Sequence, residues 1–186
     1  ETTASFRDIN KRRENDDSVL SYGRRGTTTA FALTDAICDL EGGDAGFLFP
    51  TGIAALAATI MAYSNNGDHI LIVDSIFPAT RSFCENQLPR KGIEIDYFPP
   101  DIDDLDDLVK PNTSLVVLES PGSMTFDIMD FPKSCKSAVK HNLITIADNT
   151  YGSGWHFQPL KHGCDVSVIA GTKYLGGHAD VRMGAV

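Results

Sequence analysis

Short apolar segments alternate with helix-forming segments along most of the chain. The apolar segments are four to six residues long and nearly continuous, at positions 46–49, 69–73, 93–98, 115–118, 143–147 and 166–169. Apolar runs of this kind are typical of strands that are buried on both faces of a parallel sheet. The segments between them predict helices at 53–63, 79–88, 102–109 and 131–141. We therefore predict an α/β fold with a mostly parallel sheet covered by helices on both faces.

The first part of the chain has a different character. Residues 1–22 are polar and show little periodicity, which indicates an arm rather than a core element. A helix is predicted after residue 26, because Thr27 can cap its start and Gly42 can end it. We therefore divide the chain into an arm, residues 1–26, and one domain, residues 27–186.

Charge and composition exclude several classes of protein. The 186 residues include 25 acidic and 16 basic side chains, a formal net charge of −9, which argues against a nucleic-acid partner. No apolar run reaches the roughly 18 residues that a membrane-spanning helix needs. The four cysteines are far apart and lack metal-ligand spacing, which predicts packing residues, no metal site and a cytoplasmic location.

An acidic run at residues 101–108 has two interpretations. It could hold calcium, but it lacks the Gly and Glu positions of an EF-hand loop. Ile102, Leu105 and Leu108 form an apolar stripe beneath the charged residues. This pattern favours a solvated amphipathic helix.

Three groups that can carry chemistry follow predicted strands, where ligands bind in open α/β sheets. Gly52 lies at a strand-to-helix turn, where backbone N–H groups can face a phosphate, although glycine also serves as an ordinary turn residue. Asp148 follows the fifth strand and would be desolvated without a cation. Lys173 follows the sixth strand, and a lysine in an apolar pocket can condense with a carbonyl. Together these residues offer the three contacts that pyridoxal phosphate (PLP) needs: a phosphate-binding turn, an acid for its ring nitrogen and a lysine for its aldehyde.

Four sequence motifs resemble those of the Cys/Met-metabolism family of PLP enzymes. They are YGRRGT at residues 22–27, ESPGS at 119–123, DNT at 148–150 and TKYLGGHAD at 172–180. The resemblance implies the PLP-dependent transferase-like fold, that of aspartate aminotransferase (fold type I), with residues 27–186 as its PLP-binding large domain. Within the family, the motifs look closest to bacterial cystathionine β-lyases.

The resemblance assigns a role to each matching residue. Lys173 looks like the lysine that forms the Schiff base with PLP and moves the α-proton, and Asp148 like the partner of the ring nitrogen. The phosphate would be bound by the backbone of Gly52 and Ile53 and by the hydroxyl of Thr172. Tyr22 and Arg24 resemble residues that reach the phosphate of a neighbouring subunit, which implies a homodimer or homotetramer with shared active sites.

Three positions depart from the family pattern. Phe77 stands where the family has a tyrosine that stacks on PLP and takes part in catalysis, so it keeps the stacking ring but loses the hydroxyl. Ala170 and Ala179 each replace a serine. We interpret His69 and His178 as structural residues, and Glu119 remains open between a structural and a site-shaping role.

The resemblance implies β-elimination of cystathionine to homocysteine, pyruvate and ammonia, in transsulfuration and methionine biosynthesis. The alternatives are a cystathionine γ-lyase, a γ-synthase or a methionine γ-lyase, and, from another class, a PLP-binding or assembly module without turnover. The chain does not start with Met, and family members are about twice as long. We therefore expect a truncated large domain without the C-terminal domain that binds the substrate carboxylate, and poor turnover by this piece alone.

Overall fold

The computed structural model describes residue 23 and residues 26–186. Its central sheet has five strands in the order β3-β2-β4-β5-β6, and every neighbouring pair is parallel. The strands are β2 (His69–Val73), β3 (Glu94–Phe98), β4 (Thr113–Glu119), β5 (Ile144–Asp148) and β6 (Val166–Val168). The predicted mostly parallel α/β sheet is confirmed. Because all five strands point the same way, their carboxyl ends meet at one edge of the sheet.

Four α-helices connect or flank these strands. They are α1 (Thr28–Glu41), α2 (Gly52–Ala62), α3 (Pro78–Gln87) and α4 (Phe131–Lys140). The Thr27 hydroxyl caps α1 by accepting a hydrogen bond from the Ala30 N–H, and Gly42 ends the helix in the left-handed conformation. The boundaries predicted from the sequence agree with the observed ones to within one residue for α2, α3 and α4.

A second, two-stranded sheet lies beside β6. It pairs β1 (Leu48–Phe49) with β7 (Gly184–Ala185) in antiparallel orientation. Ala185 also exchanges two backbone hydrogen bonds with Ile169, just after β6, so the small sheet continues the large one. The first predicted strand therefore does not join the parallel sheet, but it still delivers the chain to the start of α2.

The predicted helix at residues 102–109 is wrong, because the structure has a series of turns there. The Asp104 carboxylate accepts a hydrogen bond from the Asp106 N–H, a local pairing that competes with helical hydrogen bonds. Leu105 is buried, as the predicted apolar stripe implies, and its N–H donates to the Ser137 hydroxyl of α4. Asp103 and Asp106 form ion pairs with Lys133 and Lys140 of α4. The acidic run is thus a turn segment held against α4.

The core consists of the central strands and the helix faces packed on them. All five residues of β2 are buried, as are the last five of β4, which requires cover on both faces of the sheet. Three of the four cysteines, Cys84, Cys135 and Cys164, are buried, and all four are free thiols, as packing residues should be. Among the residues that the structure describes, no helix is both long enough and apolar enough to cross a membrane.

Candidate functional site

A cleft of about 530 Å³ opens at the carboxyl edge of the central sheet. The loops that follow β2, β4, β5 and β6 form its walls, as expected for ligand sites in open α/β sheets. The lining residues come from four separate stretches of sequence: Phe77; Glu119, Ser123 and Met124; Asp148, Thr150 and Tyr151; and Ala170, Thr172, Lys173, Tyr174, Gly177 and Ala179. The cleft therefore brings Lys173, Asp148, Phe77 and Thr172 together, four of the predicted site residues.

Lys173 lies in the turn that follows β6. Its backbone N–H donates to the Ala170 carbonyl, which fixes the turn, while the side chain is exposed along the cleft. Within residues 26–186, its ammonium group has no hydrogen-bond or ion-pair partner. Among the described residues, nothing competes with a ligand in the cleft for this amine.

Asp148 is the last residue of β5 and lies at the floor of the same cleft. One carboxylate oxygen accepts hydrogen bonds from the N–H of Thr150 at 3.1 Å and from its hydroxyl at 2.6 Å. The Thr150 hydroxyl also accepts from the Ala170 N–H at 2.9 Å, which joins the ends of β5 and β6. Burial raises the pKa of Asp148, and the two bonds from Thr150 offset part of that rise. The remaining carboxylate oxygen favours a cationic partner.

Glu119 is the last residue of β4 and lies directly opposite Asp148 in the strand register. Its side chain is only 3% exposed, so two carboxyl groups share the floor of the cleft. Burial, followed by the charge of Asp148, raises the pKa of Glu119 to about 8. Sequence reasoning left this residue open, because its pairing with Asp148 follows from the strand order, which the sequence pattern does not give.

The predicted phosphate-binding turn lies at the start of α2. The Thr51 hydroxyl caps the helix by accepting a hydrogen bond from the Ala54 N–H at 3.0 Å. The N–H groups of Gly52 and Ile53 lie in the first turn, where backbone donors have no acceptor within the helix. A Cβ atom on Gly52 would lie 2.5 Å from the Cβ of Ala170, so only glycine allows the helix to approach the cleft this closely. The start of α2, with its positive dipole, therefore adjoins the cleft wall.

Thr172 has partners within the protein. Its hydroxyl accepts a hydrogen bond from the Met183 N–H at 3.0 Å and lies 3.1 Å from the Met183 carbonyl. These bonds hold the loop of residues 173–182 closed at its base. The hydroxyl also lines the cleft, so a phosphate there would compete with the Met183 carbonyl for its proton.

Phe77 forms part of the cleft wall just before α3. Its side chain is 43% exposed, and its N–H donates to the Glu119 carboxyl group at 2.8 Å. The ring can therefore cover a planar ligand while its backbone is held from below. The phenyl ring, unlike a tyrosine ring, cannot donate a hydrogen bond or transfer a proton.

Several lining residues were not predicted as site residues. Tyr151 and Tyr174 lie 6.4 Å apart between ring centroids, and Phe126 packs edge-on against Tyr151 at 5.7 Å, so an aromatic row borders the cleft. Thr150 was identifiable in principle, because Asp-x-Thr after a strand is typical of a side-chain-capped turn. The tyrosines carry no such local signal.

Other predicted residues lie elsewhere. Tyr22 and Arg24 lie outside the described residues. His69 is fully buried at the opposite end of the sheet, with its ring nitrogens 2.7 Å from the Thr113 hydroxyl and 3.2 Å from Asp96, which is a structural arrangement. His178 is exposed, and its Nδ1 bonds the Gly176 carbonyl. No cluster of three potential metal ligands occurs in the part of the chain that the structure describes.

Known proteins match most of this chain. A cystathionine β-lyase of Haemophilus influenzae is 42% identical over 168 residues, which cover 89% of this chain and 42% of that protein. An L-alanine/L-glutamate racemase of Wolbachia pipientis is 39% identical over 166 residues, covering 89% and 41%. The chain thus spans less than half the length of these relatives.

A solved structure shows the same fold with the cofactor attached. It is a Campylobacter jejuni protein assigned as an O-acetylhomoserine (thiol)-lyase, and it contains N'-pyridoxyl-lysine-5'-monophosphate. The TM-score is 0.89 at 28% identity, over 100% of this chain and 47% of that one. The sequence model of the Cys/Met metabolism PLP-dependent enzymes matches residues 1–186. The chain therefore belongs to the Cys/Met metabolism family of PLP-dependent enzymes.

Proposed function

We propose that the protein is a carbon–sulfur lyase that cleaves cystathionine by β-elimination, giving homocysteine and a three-carbon enamine that one water molecule hydrolyses to pyruvate and ammonia. The observation that carries this proposal is the meeting, in one cleft beside a helix N-terminus, of the Lys173 side chain with the half-buried carboxylate of Asp148. The relatives named as cystathionine β-lyases support the choice of reaction. We place the reaction in transsulfuration and methionine biosynthesis, in the cytoplasm.

The residues of the cleft fit PLP at each of its functional groups. Lys173 would bind the aldehyde carbon, Asp148 would pair with the protonated ring nitrogen, and Phe77 would stack on the ring. The N–H groups of Gly52 and Ile53, with the hydroxyl of Thr172, would hold the phosphate. The strongest support is Asp148, a desolvated carboxylate with no cationic partner among the described residues. When bound, PLP supplies an electron sink conjugated to the α-carbon of an amino-acid substrate.

The residues of this chain would perform three tasks in the reaction. The Lys173 amine, once displaced by the substrate amine, would take the proton from the substrate α-carbon and pass a proton to the departing sulfur. Asp148 would keep the ring nitrogen cationic, which favours electron flow away from the α-carbon. Phe77 and Tyr174 line the cleft and would exclude water from the reacting atoms.

Phe77 limits the possible proton-transfer groups. Without a hydroxyl at this position, Lys173 is the proton-transfer group that we assign in the cleft. We expect Phe77→Tyr to change the pH profile of turnover while leaving PLP affinity within about twofold, since both rings stack similarly.

The N-terminal arm completes the proposed assembly. Residues 1–26 would reach a neighbouring subunit, with Tyr22 and Arg24 at its phosphate, and residues 27–186 would form the PLP-binding large domain. The protein would then be a homodimer or homotetramer with shared active sites. Substitution of Arg24 by alanine should weaken PLP binding in the assembled protein, which equilibrium dialysis would measure.

Amino-acid racemisation is a second candidate reaction. The racemase relative matches this chain about as well as the lyases do, with 39% identity over 89% of the chain. Racemisation needs the same removal of the α-proton, followed by its return to the other face.

Product analysis tests the proposal. Purified protein with PLP is given cystathionine, and thiol release, pyruvate and 2-oxobutyrate are measured. Pyruvate with an equal amount of homocysteine supports β-elimination, whereas 2-oxobutyrate with cysteine would show a γ-lyase. Conversion of L-alanine to D-alanine without thiol release would show a racemase. Bound PLP without any product would agree with a binding module and also with the poor turnover expected of this piece alone, and it would give the lyase proposal no support. Lys173→Ala is the control, because it removes the proposed base and Schiff-base amine.

A further inference from the structure

Glu119 makes a set of contacts that a solvent-exposed strand end would not need. One carboxyl oxygen accepts the Phe77 N–H at 2.8 Å, and the other is hydrogen-bonded to the Ser123 hydroxyl. These contacts join β4 to the loop before α3 and to its own following loop, two walls of the cleft. A buried carboxyl group bonded in this way fixes where both walls stand.

The same side chain faces Asp148 across the strand pair. Glu119 and Asp148 occupy paired positions at the ends of β4 and β5, and both line the cleft. Glu119 is buried and Asp148 is half-buried. Two carboxylates side by side in such a setting repel each other, and this repulsion is relieved either by a shared proton or by a cation.

Among the described residues, the other ionisable groups around Glu119 do not supply that cation. From the turn after β6, Lys173 lines the cleft, and its ammonium group makes no ion pair in the described part of the chain. The phenols of Tyr151 and Tyr174 also line it. Asp74, directly after β2, is exposed and forms an ion pair with Arg81 of α3, which also lies over the Tyr97 ring.

We propose that Glu119 is a positioning residue of this site: it holds Phe77 and Ser123 in place, and it forms with Asp148 an acid pair that a cationic ring nitrogen relieves. In the ligand-free protein the two carboxyl groups retain one proton, which Glu119 carries. When a protonated pyridine nitrogen binds Asp148, that proton leaves Glu119 for the solvent. The inference rests on the proposed function only for the nature of this ligand.

Glu119→Gln is the informative substitution, because a glutamine has the shape and hydrogen bonds of a protonated glutamic acid. Its carbonyl can accept the Phe77 N–H and its amide can donate to the Ser123 hydroxyl, so the walls stay in place. Glu119→Ala removes both bonds. Glu94→Gln, at an exposed position on β3, is the matched control for the loss of one carboxylate.

The first measurement needs no ligand. Because the folded pKa of Glu119 lies above its unfolded value, its stabilising effect is complete below about pH 4.5 and is lost as pH rises through about 8. We expect the melting temperature of the ligand-free protein to fall between pH 6 and 9, and Glu119→Gln to flatten that fall while Glu94→Gln does not. Equal pH dependence in the wild type and Glu119→Gln would overturn the acid pair.

The second measurement uses pyridoxine 5'-phosphate, which has the ring nitrogen and phosphate but no aldehyde to condense with Lys173. Its stabilisation of the wild type should increase from pH 6.5 to 8.5 by more than that of Glu119→Gln. An equal increase would contradict the coupling. Failure of the probe to bind at all would count against the PLP site but would leave the ligand-free result standing.

Hydrogen exchange tests the positioning role. The Phe77 amide should be protected in the wild type and in Glu119→Gln, and should exchange at least tenfold faster in Glu119→Ala. Unchanged protection in Glu119→Ala would overturn that role. If Glu119→Ala fails to fold, Ser123→Ala replaces it, because it removes one of the two hydrogen bonds of Glu119. Wild-type protection of the Phe77 segment together with an unchanged pH profile in Ser123→Ala would contradict the proposed network.

Discussion

The two ends of the central sheet carry polar networks of opposite character. At the amino end, His69 bonds Thr113 and Asp96, and Asp96 forms an ion pair with Lys110 at 2.7 Å. At the carboxyl end, Glu119 and Asp148 lie side by side, and neither has a cationic partner within the described residues.

The difference separates residues that hold the fold from residues that await a ligand. The amino-end network is complete: each buried polar atom of His69 has a partner, so the histidine adds stability and needs nothing else. The carboxyl-end network has an excess of negative charge, and Lys173 lines the same cleft with no ion-pair partner in residues 26–186. Such imbalance in a cleft is typical of functional sites.

Lys173→Ala should have the largest effect. Loss of the amine removes both the Schiff base and the proposed base, so we expect the yellow absorbance of bound PLP to disappear and turnover to fall about 10³-fold or more. Absorbance spectra and thiol release would measure this. Lys136→Ala, at an exposed position of α4, is the control and should change neither. A variant at Lys173 that kept the absorbance would refute the assignment.

His69→Ala should have the next largest effect, and only on stability. It creates a cavity and leaves Thr113 without its ring partner, which should cost about 3 kcal/mol, or about 6–12 °C in melting temperature. PLP affinity should stay within about twofold, because the residue lies at the opposite end of the sheet. A tenfold loss of affinity in thermally stable conditions would show that the two networks are coupled.

Asp148→Asn should change ligand binding and stability in opposite directions. Loss of a charged partner for the ring nitrogen should weaken PLP binding about 10- to 100-fold. The ligand-free protein should become more stable at pH 8, because the carboxylate beside the buried Glu119 is gone, while the asparagine oxygen still accepts from Thr150. The same change at the amino end, Asp96→Asn, should lower stability slightly. Calorimetry measures the stability of both variants, and PLP titration measures the affinity of Asp148→Asn. A change in stability of the same sign in both variants would contradict the comparison between the two ends of the sheet.

The smallest effect concerns acidic pH. Burial lowers the pKa of His69, so the folded protein favours the neutral ring. A lowered pKa means that this stability is complete above about pH 6.5 and is lost as pH falls below it. The melting temperature should therefore drop from pH 7 to pH 5 more steeply in the wild type than in His69→Gln. Parallel curves would show that His69 does not titrate in this range.

The sequence predicted much of this site because strand ends in a parallel sheet converge. Asp148 and Lys173 each follow an apolar run that forms a strand of the parallel sheet, and a single geometric rule places such positions at one edge. Gly52 follows β1, which lies outside that sheet, so its approach to Ala170 at the cleft wall needed the structure. The pairing of Glu119 with Asp148 needed the strand order, which places β4 beside β5. The segment at 102–109 was wrongly predicted as a helix. Its apolar stripe does bury Leu105, but an Asp side chain bonds the nearby backbone, which favours turns over a helix.

The departures from the family pattern could be located from the sequence, but their consequences needed the structure. A Cβ atom on Gly52 would stand 2.5 Å from the Cβ of Ala170, which shows that Ala170 packs directly against the start of α2. Thr172 was predicted to bind phosphate, yet its bonds to Met183 depend on a chain segment eleven positions away. Local sequence gives no sign of such a contact.

Borohydride trapping tests the central claim most directly. Protein incubated with PLP is reduced, digested with trypsin and analysed by mass spectrometry. The account predicts a single phosphopyridoxyl group, carried by Lys173 in the peptide that spans residues 162–182. A group found on another lysine, or no stable adduct at all, would contradict it.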